Sequence, residues 1–143
     1  MVGFLIAIIS GALMSVQGVF NTGVTKSSSI WVASAFVQLS ALIVCFCAWL
    51  FTDRTSFVTL TRVEPKYMLL GGVIGAFITY TVIRSMEMLG PARAVMLIVT
   101  AQLLAAYMIE LFGIFGVEKQ PFSFRRMIGM AAAIVGIVVF KWE

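Results

Sequence analysis

The sequence predicts an all-α polytopic membrane protein with five transmembrane helices, and three observations carry that class. Apolar residues make up 62% of the 143 and charged residues only 11%, where a soluble domain has about 25% charged. Mean hydropathy is +1.08. The apolar residues also fall into five runs of membrane length; at about 20 residues per span, five spans use about 100 residues. Third, the runs are continuous and show none of the apolar–polar alternation of a barrel strand. In lipid a backbone must satisfy its own hydrogen bonds, so continuous runs are helices. A water-soluble fold of this size has too little interior to hide so much apolar surface. Composition therefore excludes a soluble enzyme, a disordered chain and a disulfide-rich secreted module.

The spans follow in order, as one integral membrane domain over residues 1–143. The first runs over residues 2–24 (Val2–Val24). It is too long for a signal-peptide core and lacks a basic leader, so it reads as a span rather than a cleaved signal. A short polar loop, Thr25–Ser29, leads to the second span over residues 30–51 (Ile30–Phe51). The longer polar stretch Thr52–Lys66 carries Asp53, Arg54, Arg62, Glu64 and Lys66. The third span covers residues 67–89 (Tyr67–Leu89), with Arg84 and Glu87 in its last third. Gly90–Pro91 breaks the chain before the fourth span, residues 92–115 (Ala92–Phe115), which holds Glu110 near its end. After the loop Gly116–Phe122 the fifth span covers residues 123–141 (Ser123–Lys141), with Arg125 and Arg126 in its first turn. Pro65, Pro91 and Pro121 fall before or at span starts, where a missing N–H costs nothing. Trp31, Trp49, Tyr67 and Trp142 sit near span ends, as in an interfacial aromatic belt.

Charge speaks to topology rather than to a partner. The net charge is +4, and the ten cations lie between or at the ends of apolar runs. The densest cluster is Arg125–Arg126, so no basic face for nucleic acid exists. The chain has no His, which removes histidine zinc sites and histidine proton relays. Cys45 and Cys47 point to different sides of a helix and read as small buried hydrophobes. No cofactor is expected, and no nucleophile–base constellation suggests an enzyme. An odd span count puts the termini on opposite faces. The N-terminal face carries Arg54, Arg62, Lys66, Lys119, Arg125 and Arg126, and the opposite face Lys26, Arg84, Arg93 and Lys141. Six against four is a weak positive-inside bias, compatible with insertion in both orientations.

Small residues recur every fourth position: Gly3, Ala7, Gly11 and Ser15 in span one, Gly71/Gly75 and Gly72/Ala76 in span three, Gly129/Ala133 and Ala132/Gly136 in span five. Such stripes let helix backbones approach closely. They read as packing within one chain, with a seam between two copies as the alternative.

Polar side chains at bilayer depth are costly and therefore informative. Gln17 and Asn21 share a face of span one with Ser10 and Met14. Trp31, Ser34 and Gln38 share a face of span two, and Gln102 is near the middle of span four. Tyr80, Arg84 and Glu87 form a stripe on span three. Gln17, Asn21, Gln38, Tyr80 and Gln102 are candidates for a polar cavity lining; the competing reading is interhelical hydrogen bonding that only holds helices together. Arg84 and Glu87, at i, i+3, are either a charged vestibule or a local ion pair. Glu110, eight residues after Gln102, either pairs with Arg125 or Arg126 and ties spans four and five together, or serves as a protonatable carboxylate that couples transport to protons.

The stretches GALMSVQGVFN (11–21), GGVIGAF (71–77), LGPARAV (89–95) and AQLLAAYMIELFGIFGVEKQPFSFRRMIGMAAAIVGIVVF (101–140) resemble the YdcZ-like family of the drug/metabolite transporter superfamily, over nearly the whole chain. The most specific part is Gln102, Glu110, Phe112–Gly113, Phe115–Gly116, Ser123, Arg125, Arg126, Gly129 and Gly136. Two departures stand out: Ala101 replaces a glycine of the family pattern and Glu110 replaces an aspartate. The resemblance implies a half-size unit of five helices that works as an antiparallel, inverted dimer of ten. It implies transport of a small-molecule substrate by alternating access, as an exporter of a small metabolite or drug-like compound in the bacterial inner membrane. Its partners would be the lipid bilayer and a second copy of itself or an oppositely oriented paralogue, with no nucleic acid. Rival readings are a dual-topology ion channel and a non-transporting assembly subunit.

Overall fold

A computed structural model describes residues 1–141. Trp142, assigned above to the aromatic belt, lies outside the described residues. Helix accounts for 85% of the structure. The elements are α1 (Val2–Thr25), α2 (Ile30–Thr52), α3 (Gly71–Leu89), α4 (Pro91–Phe112) and α5 (Phe124–Lys141), with short 3-10 turns between them. There is no strand among the described residues.

The helix boundaries have local causes. The Ser29 hydroxyl caps α2 by accepting from the Val32 N–H at 3.2 Å, which satisfies one of the otherwise unpaired first-turn donors. Pro91 opens α4, behind Gly90 at φ +80°, a conformation only glycine adopts freely. Gly113, at φ +66°, closes the same helix. The fourth helix therefore stops at Phe112 and not at Phe115, because a left-handed residue cannot continue a right-handed ladder. The third helix also begins later than predicted. Lys66–Leu70 form a 3-10 turn, and the α-helix starts at Gly71. The polar stretch before it is not wholly loop, since Phe57–Arg62 form another 3-10 turn.

Four segments among the described residues are long and apolar enough to cross a membrane: α1, α2, the run Lys66–Leu89 and α4. The fifth helix is present but has 18 residues and includes Arg125, Arg126 and Lys141. Those three cations set it apart from the other four.

The chain divides into two compact units, Met1–Met88 and the remainder from Leu89. In the first, α1 and α2 form a hairpin across the short turn Lys26–Ser29. The buried residues are few: Gly18 and Asn21 on α1, Ala33 and Ser34 on α2, Ile83 and Met86 on α3. Asn21 lies four residues before the end of α1 and Ser34 four after the start of α2, each about 6 Å into its helix. The core is thus one layer near a single end of the hairpin. Gly18 makes it possible. A Cβ there would lie 2.8 Å from Met86 Sδ and closer still to Met86 Cε, so the bare backbone receives the Met86 side chain.

Away from this layer the apolar side chains Phe4, Ile8, Leu42, Phe46 and Phe77 are exposed. In water such surface would drive aggregation; in a bilayer it meets lipid tails. Cys45 and Cys47 belong to that surface. They are not buried as predicted, because no helix covers the C-terminal half of α2.

In the second unit α4 and α5 run antiparallel. The Ser123 N–H donates to the Tyr107 hydroxyl at 3.3 Å, and the Gln120 N–H to the Glu110 carbonyl at 2.9 Å. At the other end Arg93 and Leu97 share a groove with Ile137 and Phe140.

Candidate functional site

Two places collect polar side chains within the helices, one in each unit. In the first unit, Gln17 and Asn21 do share a face of α1 with Ser10 and Met14, and together they line a groove of about 580 Å³. Every lining residue belongs to α1, so the groove is an open flank and not an enclosed cavity. Gln17 is exposed. Asn21 is 8% exposed, and its side-chain amide makes no hydrogen bond among the described residues.

The polar face of α2 meets α3. Trp31 stacks on Tyr80 with ring centroids 4.9 Å apart and planes 24° from parallel. Gln38 Nε2 lies 3.8 Å from the position a Cβ would take on Gly75. Ser34, between Trp31 and Gln38 on that face, is buried, and its Oγ has no hydrogen-bond partner. The sequence placed Ser34 on this face through its i, i+3 and i+4 spacing but gave it no role of its own. Next to Tyr80 on the predicted stripe, Arg84 Nη1 pairs with Glu87 Oε2 at 3.3 Å. That contact is an i, i+3 pair within one helix, with the guanidinium well exposed.

In the second unit Gln102 is exposed on α4. Two turns further on, Arg126 Nη1 donates to Glu110 Oε2 at 2.8 Å. Both groups are about half exposed. The partner is Arg126 rather than Arg125, and the bond joins α4 to α5. A groove of about 350 Å³ runs beside it, lined by Leu103, Tyr107, Glu110, Arg126, Gly129 and Met130.

The small-residue stripes mostly meet open space. A Cβ on Gly11, Gly71, Gly72, Gly129 or Gly136 would touch nothing within 4 Å, and of the predicted packing glycines only Gly75 has a neighbour. The tightest glycine is Gly18. Sequence reasoning passed over it because its partner is one large flexible side chain, Met86, and not a second small residue at four-residue spacing.

Apolar helices of membrane length, several to one chain, define a polytopic α-helical membrane protein. The chain belongs to the family described as "Putative inner membrane exporter, YdcZ", whose model matches residues 2–139. It is accordingly a protein of the inner membrane. No curated protein and no solved structure matches it.

Proposed function

We propose that this chain is a five-span half of a small-molecule exporter, embedded as a single membrane domain and working by alternating access with a second copy inserted the other way up. The observation that carries the reading is polar placement. Uncharged polar side chains, Gln17, Asn21, Gln38 and Tyr80, gather on α1–α3 at helix depths where lipid would penalise them, in a chain whose family is described as an exporter. They form part of the lining of a substrate cavity that the inverted copy completes, and Gln102 on α4 is a further candidate for substrate contact.

The fifth helix spans as well. Its 18 residues rise about 27 Å, close to the hydrocarbon thickness. Arg125 and Arg126 at its start can extend toward the headgroups on their aliphatic stems. Five spans with a six-to-four cation balance suit insertion in both orientations. The open faces at Gly11 and Gly129 and the bare apolar flanks leave surface for a second copy. Arg84 with Glu87 marks a vestibule near one face. Glu110 with Arg126 clamps α4 to α5.

Purified protein in liposomes tests the reading through flux of labelled metabolites and cationic dyes. Flux above protein-free liposomes that saturates with solute concentration supports it. Flux equal to the blank across the panel overturns it, and conductance far above carrier turnover would instead assign an ion channel.

A further inference from the structure

Hydroxyls in membrane helices have a local outlet. A serine or threonine donates its proton to the carbonyl three or four residues back, as Ser15, Thr22, Thr79, Ser85 and Thr100 do here. Ser34 does not. Its Oγ is buried without a partner, although the carbonyls of Ile30 and Trp31 stand at those spacings. Asn21 is also more than nine-tenths buried; its amide makes no hydrogen bond among the described residues and borders the open α1 groove. The two occupy the same depth on either side of the α1–α2 hairpin. The rest of their layer is Gly18, Ala33, Ile83 and Met86, which offer no side-chain donor and no acceptor stronger than a thioether. Buried polar groups are nearly always paired, and an unpaired one raises the free energy of the conformation that buries it. The unpaired Ser34 hydroxyl means that the closed layer is held at a disadvantage relative to a conformation that opens it.

We propose that Asn21 and Ser34 are binding groups of a layer that is closed in this conformation and opens in another, where the amide and the hydroxyl engage an uncharged hydrogen-bonding partner. This rests on the alternating-access reading above. The partner is water or a hydroxyl or amide group of the substrate. It is uncharged because the layer holds no countercharge: Arg84 is exposed and already paired with Glu87, and an ion moved into such a layer would lack compensation. Trp31 on Tyr80, one turn away on α2 and α3, supplies a flat aromatic wall beside the layer.

Two variants test the proposal without knowledge of the substrate. Ser34→Ala removes the unmet hydroxyl and little volume, so its unfolding midpoint in detergent rises above wild type. A hydroxyl that held helices together would give the opposite sign, and a lowered midpoint overturns the proposal. Ser34→Cys, in a chain carrying Cys45→Ala and Cys47→Ala, is treated with iodoacetamide, itself a small uncharged amide. A thiol reacts as thiolate and so needs water; position 34 is expected to react at least about tenfold faster than Leu42→Cys on the lipid-facing flank. Reaction no faster than that control overturns the proposal. Flux then separates the sources. A loss of about tenfold in Ser34→Ala assigns the partner to the substrate, whereas unchanged flux with raised stability assigns it to water. If wild type carries no flux while both variants behave as stated, the transporter reading falls and the opening layer stands.

Discussion

Replacing Gly18 by alanine pits two opposed effects against each other at one position. A helix gains about 1 kcal/mol when glycine becomes alanine. Against this, the new methyl would lie 2.8 Å from Met86 Sδ and 3.5 Å from Val82 Cγ1, where carbon–sulfur contact is comfortable only near about 3.8 Å. The thioether must retreat by roughly 1 Å. Met86 is flexible, but it is 3% exposed and its neighbour Ile83 is 0% exposed, so the movement pushes into a filled layer. Overpacking of that kind costs about 1–3 kcal/mol. The net expectation for Gly18→Ala is a loss of about 1 kcal/mol. For Gly18→Leu the loss is larger, about 3 kcal/mol, since a bulkier side chain enters beside Met86 and Val82. Gly23→Ala on the same helix is the control: nothing lies within 4 Å of its Cβ, so it is neutral or slightly stabilising. Unfolding in mixed micelles with increasing SDS, followed by tryptophan fluorescence, measures each change. A double-mutant cycle with Met86→Ala should give a coupling of about 1–3 kcal/mol, because truncating Met86 makes room for the methyl. Equal effects of Gly23→Ala and Gly18→Ala, or an additive cycle, would refute the claim that Gly18 admits Met86.

Four further outcomes follow from the polar residues and the topology. Because Glu110 and Arg126 are about half exposed, Glu110→Gln should lower stability by no more than about 1 kcal/mol, and the exchanged pair Glu110→Arg with Arg126→Glu should recover it. Flux by Glu110→Gln measured between about pH 5 and pH 8 should follow the wild-type profile; a flattened profile would make the carboxylate a coupling group instead of a clamp. Gln102→Leu should reduce flux in liposomes while leaving the unfolding midpoint near wild type, and the reverse pattern would assign the amide to helix packing. Tags at the two termini should each be accessible from both sides of the membrane if the chain inserts both ways up, whereas a single fixed orientation would require a paralogous partner.

The helices were legible in the sequence because lipid leaves little choice. An apolar run of membrane length must be helical, and Ser29, Pro91 and Gly90 mark boundaries through backbone chemistry alone. The late start of α3 and the early stop of α4 were not legible. The first is a switch from a 3-10 turn to an α-helix at Gly71 and the second rests on the positive φ of Gly113, both inside runs that hydropathy treats as uniform. For the candidate site, the sequence correctly set Gln17 and Asn21 on one face of α1, because 3.6-residue periodicity is intrinsic to the helix. It also named the acid–base partners Glu110 and Arg126 within one residue, since opposite charges near the same membrane face have few other places to go. Only the tertiary structure decided that Ser34 loses its local outlet, that Tyr80 takes Trp31 as its neighbour, that Gly18 and not the four-spaced glycines makes the close approach, and that Cys45 and Cys47 lie on the surface. Each of these depends on which helix lies against which, at what rotation and depth. Nearly every side chain in such a chain is apolar, so the hydropathy pattern that fixes the helices says little about their facing partners.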